Sequence, residues 1–240
     1  MISTNALKRA SLAILLAALA ACSSGPNAEP AATLAKASSA PAWRDTFPVD
    51  KRKLSPTGAG TYWKLTPGRT MTYRSADGST LTITNLRETR VVDGVTTRVV
   101  EEREEEKGVL VEVSRNYMAI DPATGDVYYF GEETDMYKGG KVASHDGSWV
   151  SGLHNARFGM LICGKAGIGD RFQQENAPGV ALDRVEVVGV DETVKVPAGT
   201  FTHCIHVVET SSLDKDVTNK WYAPGVGLIK DDEFELTAVQ

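Results

Sequence analysis

A short run of side chains in the last quarter of the sequence combines residue types that metal sites and nucleophilic enzymes use. His203 and His206 flank Cys204 closely enough to suggest a zinc ligand set or an activated thiol. In an extended strand, successive side chains alternate, so Cys204 and His206 share a face and His203 points to the other. The run alone therefore cannot supply a tetrahedral metal site, and His145 or His154, both in Gly-rich loop sequence, would have to complete it. Cys204 also lacks a third group to orient His206 as its base.

Sequence signatures of catalysis and cofactor binding are missing. No Gly-x-Ser-x-Gly elbow, phosphate-binding loop, dinucleotide fingerprint or His-Glu-x-x-His helix occurs. The run 121–126 lacks the alternating oxygen ligands and the terminal bidentate Glu of a calcium loop, so a hairpin turn explains it better. The sequence predicts no catalytic residue, no cofactor and no enzymatic activity. The enzymatic alternative is a metal-dependent hydrolase that uses the histidines, with His203 and His206 as weak candidate metal ligands.

The amino terminus carries the most specific motif of the chain. Lys8 and Arg9 precede an apolar run over 10–21, which ends in Leu-Ala-Ala-Cys at Cys22. The run is too short to cross a bilayer, and its charged start and small terminal residues are typical of an export signal. The Leu-Ala-Ala-Cys sequence resembles the lipobox of bacterial lipoproteins. The resemblance implies cleavage before Cys22, a diacylglycerol thioether on its side chain and acylation of its amino group by a fatty acid such as palmitate, which together form a membrane anchor.

The residue after the anchor bears on cellular location. Ser23 occupies the position where an Asp retains lipoproteins in the inner membrane of Gram-negative bacteria. The resemblance therefore implies the periplasmic face of the outer membrane, or the outer face of the plasma membrane where a bacterium has a single membrane.

A linker follows the anchor. Residues 22–56 are rich in Ala, Ser, Pro and Gly and contain five of the ten prolines, a composition typical of a flexible tether. Trp43 and Phe47 are interpreted as packing on the domain surface. The alternative is that these two side chains and the basic cluster 51–53 contact lipid headgroups. The predicted organisation is a signal peptide, the lipidated Cys and tether, and one domain, at 1–21, 22–56 and 57–240.

Composition narrows the class of partner. The chain has 240 residues, of which 42% are hydrophobic and 24% charged, and its formal net charge is -5. Such a chain is globular, and its acidic balance argues against a nucleic-acid partner. The expected partners are the membrane, through the acylated terminus, and an apolar ligand or an envelope protein.

Strand periodicity dominates after about Tyr62. The segments 80–84, 109–113 and 184–187 alternate or concentrate β-branched residues, Gly-containing turn signals recur between such segments, and no helical stripe occurs. The predicted fold is all-β, a single curled antiparallel sheet in the form of a half-barrel or barrel-like meander, because curling protects sheet edges. The run 101–106, with five Glu, is interpreted as a strand end that projects into solvent, with a cation or basic-partner patch as the alternative.

Two blocks near the carboxyl terminus carry a second resemblance. Val-Pro-Ala-Gly-Thr-Phe at 196–201 followed by Cys204, and Trp-Tyr-Ala-Pro-Gly-Val-Gly-Leu-Ile-Lys at 221–230, resemble a pattern in bacterial envelope lipoproteins, most of them uncharacterised. Those proteins are similar to the half-barrel of lipoprotein carriers and outer-membrane lipoprotein receptors. The resemblance implies a curled antiparallel sheet, although the helices that close the mouth of the carriers have no counterpart in this sequence.

The two remaining cysteines are expected to pair. With Cys22 acylated, Cys163 and Cys204 would lie in an oxidising compartment, where two leftover thiols most often form a disulfide.

The sequence suggests two non-enzymatic functions. The first is a lipid-anchored domain that binds a small apolar ligand or an acyl chain on the concave, apolar face of its sheet. The second is an interaction module of an envelope assembly, with a solid core and an apolar surface patch. An empty, apolar, open-mouthed cavity inside the sheet would favour the first.

Overall fold

The computed structural model describes residues 42–240. Cys22, the predicted signal peptide and most of the predicted tether lie outside the described residues. Within them the chain forms one short 3-10 helix and 14 strands. The helix is η1 (Lys51–Lys53), and the strands are β1 (Thr70–Arg74), β2 (Thr80–Val92), β3 (Val95–Glu106), β4 (Val109–Ile120), β5 (Val127–Lys138), β6 (Lys141–Ser144), β7 (Trp149–Val150), β8 (Gly159–Ile162), β9 (Arg171–Gln173), β10 (Asp183–Val196), β11 (Gly199–Ser211), β12 (Val217–Ala223), β13 (Gly227–Asp231) and β14 (Phe234–Val239).

All 14 strands belong to one antiparallel sheet. Its order is β6-β5-β4-β3-β2-β1-β14-β13-β12-β11-β10-β9, and β7 and β8 add to the outer edge of β5. Along this order each strand pairs with a neighbour in sequence, except that the first strand, β1, pairs with the last, β14, in the middle of the sheet. The prediction of an all-β, single curled antiparallel sheet is confirmed. The sheet is not a closed barrel, because no strand ladder joins β9 to β6 or β8.

The two ends of the sheet nevertheless lie next to each other. The Arg157 N–H donates to the Asn176 carbonyl at 2.9 Å, and the Gln174 side-chain amide donates to the Leu161 carbonyl at 3.3 Å. These contacts join the β8 side of the sheet to the β9 side. The curl therefore encloses an interior that inward-facing side chains from both halves must fill.

The segment before the first strand crosses this seam. Arg44 pairs with the edge strand β9: its N–H donates to the Arg171 carbonyl at 3.0 Å, and its carbonyl accepts from the Gln173 N–H at 2.8 Å. Further along, Ser55 exchanges backbone hydrogen bonds with Ile120 at the end of β4. The chain is thus packed on the sheet already before residue 57.

Aromatic contacts hold this segment in place. The Trp43 ring lies 5.4 Å from the Arg171 guanidinium and 4.6 Å from that of Arg184, and the Phe47 ring lies 5.9 Å from that of Tyr128. Such cation–π and edge-to-face contacts stabilise a docked segment by roughly 0.5–1.5 kcal/mol each. The interpretation that Trp43 and Phe47 pack on the domain is confirmed.

A bulge in β5 changes which side chains face inward. Met118 pairs with Tyr129 and Asn116 with Glu132, so β5 has one more residue than β4 over this interval. Gly131, in the bulge, has φ of +127°, and a Cβ there would lie 2.3 Å from the Trp149 carbonyl oxygen. The extra residue puts Tyr129 and Glu132 on the same side of the sheet, although one position is odd and the other even.

Replacing Gly131 tests this bulge. Gly131→Ala is expected to lower the free energy of unfolding by at least about 2 kcal/mol, because the backbone is in a region that disfavours a Cβ and strand β7 leaves no space for one. Gly139→Ala is the control, since its φ of +61° is also positive but nothing lies within 4 Å of its added Cβ. Urea denaturation of both variants measures the difference, and equal losses would contradict the steric argument.

Candidate functional site

The interior of the curled sheet holds a cavity of about 80 Å³. Side chains from both halves of the sheet line it, and most of these side chains are polar. They are Glu102, Glu112, Ser114, Asn116, Met118, Tyr129, Glu132, Leu161, Gln174, Glu175, Asp183, Glu209, Thr218 and Lys220. Glu102 is only partly buried, so the cavity reaches towards solvent at that strand.

Strand alternation places the acidic side chains of β3 and β4. Glu102 and Glu104 are two residues apart and share the inner face of β3, and Glu112 occupies the same face of β4, directly opposite Glu104. Opposed like charges destabilise a sheet unless protons or a ligand compensate them. The interpretation of the run 101–106 as a solvated strand end is thus incomplete. It is a strand that ends at the Lys107 turn, but alternate Glu residues face the interior.

A local irregularity positions Glu175. The N–H groups of Gln174 and Glu175 both donate to the Asp183 carbonyl, at 2.8 and 2.9 Å. The Gln173 side-chain amide also donates to that carbonyl, at 3.1 Å. This clustered bonding ends the regular ladder of β9 and places Glu175 in the cavity wall.

One ammonium group compensates part of the acidic lining. The Lys220 Nζ donates to Glu209 Oε2 at 2.9 Å and lies 3.7 Å from Asp231 Oδ2, which is its direct neighbour across β12 and β13. All three residues are at least nine-tenths buried. Burial opposes the charge on Lys220, but Asp231 and Glu209 outweigh it and raise its pKa well above the ordinary value.

Burial raises the pKa of several carboxyl groups in this interior, and even Asp231, beside Lys220, has its pKa raised to about 8. Burial, followed by repulsion from Glu132 and Glu104, raises the pKa of Glu112 to about 9. Burial and Glu102 raise the pKa of Glu132 to about 8. Burial and Asp183 raise the pKa of Glu175 well above its ordinary range. At neutral pH the raised pKa values therefore favour the neutral acid form of Glu112 and Glu132, which lowers the negative charge of the cavity wall.

The cavity wall contains carboxyl oxygens without a hydrogen-bond partner among the described residues. Glu112 Oε2 and Glu175 Oε2 are buried, and each side chain is only 5% exposed. The neighbouring amide is committed elsewhere: the Asn116 Nδ2 donates to the Val100 carbonyl at 3.1 Å and to Ser114 Oγ at 3.2 Å, and its Oδ1 accepts from the Tyr129 hydroxyl. Buried polar atoms without partners are uncommon and costly. The arrangement is therefore suited to accept hydrogen bonds from a bound molecule.

The interior differs from the apolar concave face that the sequence predicted. Eight of the fourteen residues that line the cavity carry a carboxyl or amide group, and Met118 and Leu161 are the aliphatic ones. The volume is also small for an acyl chain. The expectation of an open, apolar cavity is corrected, because Glu, Asp and Lys occupy many of the inward-facing positions around this cavity.

The histidines do not assemble into a site. His203 Nδ1 lies 2.5 Å from Asp191 Oδ1 on the exposed surface. His206 stacks on Trp221 with ring centroids 4.2 Å apart, and its Nε2 lies 3.0 Å from Asn219 Oδ1. Within residues 42–240 no group of three His, Cys, Asp or Glu side chains is placed to hold a metal ion. The hydrolase alternative therefore lacks its ligand set in this part of the chain.

The two cysteines are buried, free thiols, which corrects the predicted Cys163–Cys204 disulfide. Cys163 follows β8, at one end of the sheet order, and Cys204 lies in β11, near the other end. Burial raises the pKa of Cys163 to about 12 and also raises that of Cys204, so neither is a reactive thiolate.

Sequence reasoning missed this site almost entirely. The one available signal was the alternation within 101–106, which places Glu102 and Glu104 on a common face. Glu132, Glu175 and Lys220 are isolated in sequence and meet only through the curl of the sheet.

In the described part of the chain, no helix is long and apolar enough to cross a membrane.

Comparison with known proteins gives remote similarities. No protein-family model matches the sequence, and no curated protein does. A crystal structure from Bacteroides fragilis, described by inference as an exported protein with a YMCC-like fold, has a TM-score of 0.41 and 16% identity and covers 76% of this chain and 100% of its own. A structure from Parabacteroides distasonis, described by inference as a lipoprotein, has a TM-score of 0.37 and 13% identity and covers 77% of this chain and 100% of its own. Neither similarity assigns a function.

The raised pKa values predict how stability depends on pH. Because Glu112 holds its proton more tightly when folded, its contribution is fully present below about pH 4.5 and is lost as pH rises through about 9. Glu112→Gln is expected to flatten this decline by up to about 1.4 kcal/mol per pH unit and to make the protein more stable above neutrality. Urea denaturation across this pH range measures it. The control is Glu88→Gln, an exposed position of β2, whose free energy of unfolding should depend on pH as that of the wild type does. An unchanged pH slope in Glu112→Gln would contradict the raised pKa of Glu112.

Proposed function

We propose that this protein is a non-enzymatic, lipid-anchored domain of the bacterial envelope that binds a small polar ligand inside its half-barrel. The observation that carries the proposal is the pair of buried, unpartnered oxygens, Glu112 Oε2 and Glu175 Oε2, in the wall of the same cavity. A bound donor would remove the cost of leaving both oxygens unsatisfied. An acyl chain would not, because hydrocarbon offers no hydrogen bond.

The anchor part of the proposal rests on the sequence. The Leu-Ala-Ala-Cys motif at Cys22 supports lipidation, and Ser23 supports placement on the periplasmic side of the outer membrane in a Gram-negative bacterium. About 20 residues separate Cys22 from Trp43, where the chain begins to pack on the sheet. This spacing would let the domain stand off the membrane surface while it remains attached.

A second candidate function, a protein-interaction module, is favoured by one surface feature. Val91 and Leu153 are 69% and 56% exposed and line the same shallow depression beside the β2–β3 turn. Exposed aliphatic side chains that adjoin each other suit a protein contact better than a solvated surface. This alternative becomes the better one if the interior binds no solute.

Filling the cavity tests the proposed function. Ser114 is buried in the cavity wall, so Ser114→Leu is expected to occupy the space and to weaken ligand binding at least about tenfold. Saturation-transfer NMR of the full-length protein with a set of small polar solutes, cationic, neutral and anionic, identifies binders. Ser212→Leu, at an exposed position, is the matched control and should bind as wild type does. The proposal is wrong if no solute binds the wild-type protein, or if Ser114→Leu and Ser212→Leu bind the same solute with equal affinity.

Removing the acceptor of the lipid tests the anchor. Cys22→Ser is expected to abolish incorporation of radiolabelled palmitate and to move the protein from the membrane pellet to the soluble fraction. Cys163→Ser, which changes a buried free thiol of the domain, is the control and should remain in the pellet. Sedimentation of both variants with the membrane would refute lipidation at Cys22.

A further inference from the structure

We infer that the ligand of the half-barrel site is a small organic cation with a primary ammonium group, which enters by displacing a proton from the buried carboxyl groups of Glu112 and Glu175. This inference rests on the proposed function and names its ligand class. It goes further than a polar ligand in general, because it specifies the sign of the charge and the need for N–H donors.

The charge of the wall supports a cation. Of the described residues that line the cavity, six carry carboxyl groups and one, Lys220, carries an ammonium group. That ammonium is already engaged by Glu209 and Asp231. Carboxyl groups therefore outnumber the one ammonium group in the cavity wall by six to one. An anion would be repelled there, and a neutral solute would leave the protons in place.

The free hydrogen-bonding positions select donors. Glu112 Oε2 and Glu175 Oε2 have no hydrogen-bond partner among the described residues, and ionised carboxylate oxygens are acceptors only. A primary ammonium carries three N–H donors and a charge of the required sign, whereas a quaternary ammonium has the charge without the donors.

The protein itself shows that this interior accommodates a buried ammonium. Lys220 is 8% exposed, and its Nζ donates to Glu209 at 2.9 Å in the same interior. A ligand ammonium beside Glu112 or Glu175 would be held by the same kind of charged hydrogen bond that joins Lys220 to Glu209.

Size and geometry exclude the other simple cation, a chelated metal ion. No group of three acidic or His and Cys side chains in residues 42–240 is arranged around one ion position. A cavity of about 80 Å³ has room for roughly five to eight water positions, which suits a short alkylammonium. The partly exposed Glu102 marks the side from which such a chain could enter.

The exchange balances without any covalent change. The ammonium ion enters with its positive charge, a neutral carboxylic acid of the wall becomes carboxylate, and one proton leaves to solvent for each carboxyl group ionised. The charged and titratable groups that face Glu112 and Glu175 from the surrounding strands are Glu102, Glu104, Glu132, Asp183, Glu209 and Lys220. All but Lys220 are acids, so ammonium binding draws protons out of the site and strengthens as pH rises.

Isothermal titration calorimetry of the full-length protein tests the inference with n-butylammonium as the probe. Affinity is expected to rise about tenfold per pH unit for each proton displaced, between about pH 6 and about pH 8.5. The measured heat should depend on the ionisation enthalpy of the buffer, with about one proton or more released per ligand. Tetramethylammonium, of similar size and charge but without N–H groups, should bind at least about tenfold more weakly.

Matched variants locate the binding. Glu112→Gln and Glu175→Gln are each expected to weaken n-butylammonium binding at least about tenfold and to reduce proton release. Both substitutions remove a carboxyl group whose ionisation the fold disfavours, so neither should unfold the protein. Glu88→Gln should leave affinity and proton release unchanged.

Several outcomes would overturn the inference. Equal affinity for tetramethylammonium, binding without proton release, calcium binding that displaces n-butylammonium, or no n-butylammonium binding at all would each do so. If neutral or anionic solutes bind and Ser114→Leu abolishes their binding, the ammonium inference fails while the proposed function stands. If no solute of any charge binds, both fail.

Discussion

The balance of charge inside the curled sheet is the constraint on which the described structure depends. Several carboxyl groups are buried around one ammonium, that of Lys220, which holds Glu209 and Asp231. Burial raises the pKa of Glu112 to about 9 and that of Glu132 to about 8, which favours the neutral acid form of both groups in this interior. Each ionised group would otherwise cost several kcal/mol in such a place. Protonation therefore belongs to the native state of this domain, and the polar interior is the region most sensitive to its surroundings.

The absence of α-helices from the described residues explains why the interior is built in this way. A single sheet must fill its own concavity with strand side chains, and residues at alternate positions of each strand have to supply the packing. Large side chains such as those of Tyr73 and Phe172 do so in other parts of the interior. Around the cavity, the inward-facing positions carry Glu, Asp and Lys residues instead of large apolar ones.

Two departures from regular pairing complete the enclosure. The bulge at Gly131 lets β5 contribute both Tyr129 and Glu132 to the interior. The segment with Arg44 and Phe47 pairs with the edge strand and crosses the seam, which covers an edge that would otherwise be open to pairing with another chain. The residues that lead from the predicted membrane anchor thus also form part of the fold.

The sequence by itself determined the class of fold. Strict alternation in 80–84 and 184–187, Gly-containing turns between strands and the lack of a helical stripe were enough, because period-two patterning and turn chemistry are local properties. The aromatic residues Trp43 and Phe47, unusual in a polar linker, likewise predicted that this part of the chain would pack. The lipobox at Cys22 is also local, and its implications rest on sequence alone.

Only the tertiary structure decided what fills the barrel. The sequence could place Glu102 and Glu104 on one face but not choose whether that face looks inward, because this depends on the direction in which the sheet curls. It could not place Glu132 either, since the bulge at Gly131 shifts the alternation by one residue. Glu175 and Lys220 reach the same cavity from segments far apart in the chain, and the two buried cysteines are free thiols. Local patterning fixes which residues share a face of a strand, but the curl of the sheet and its irregularities determine which faces meet.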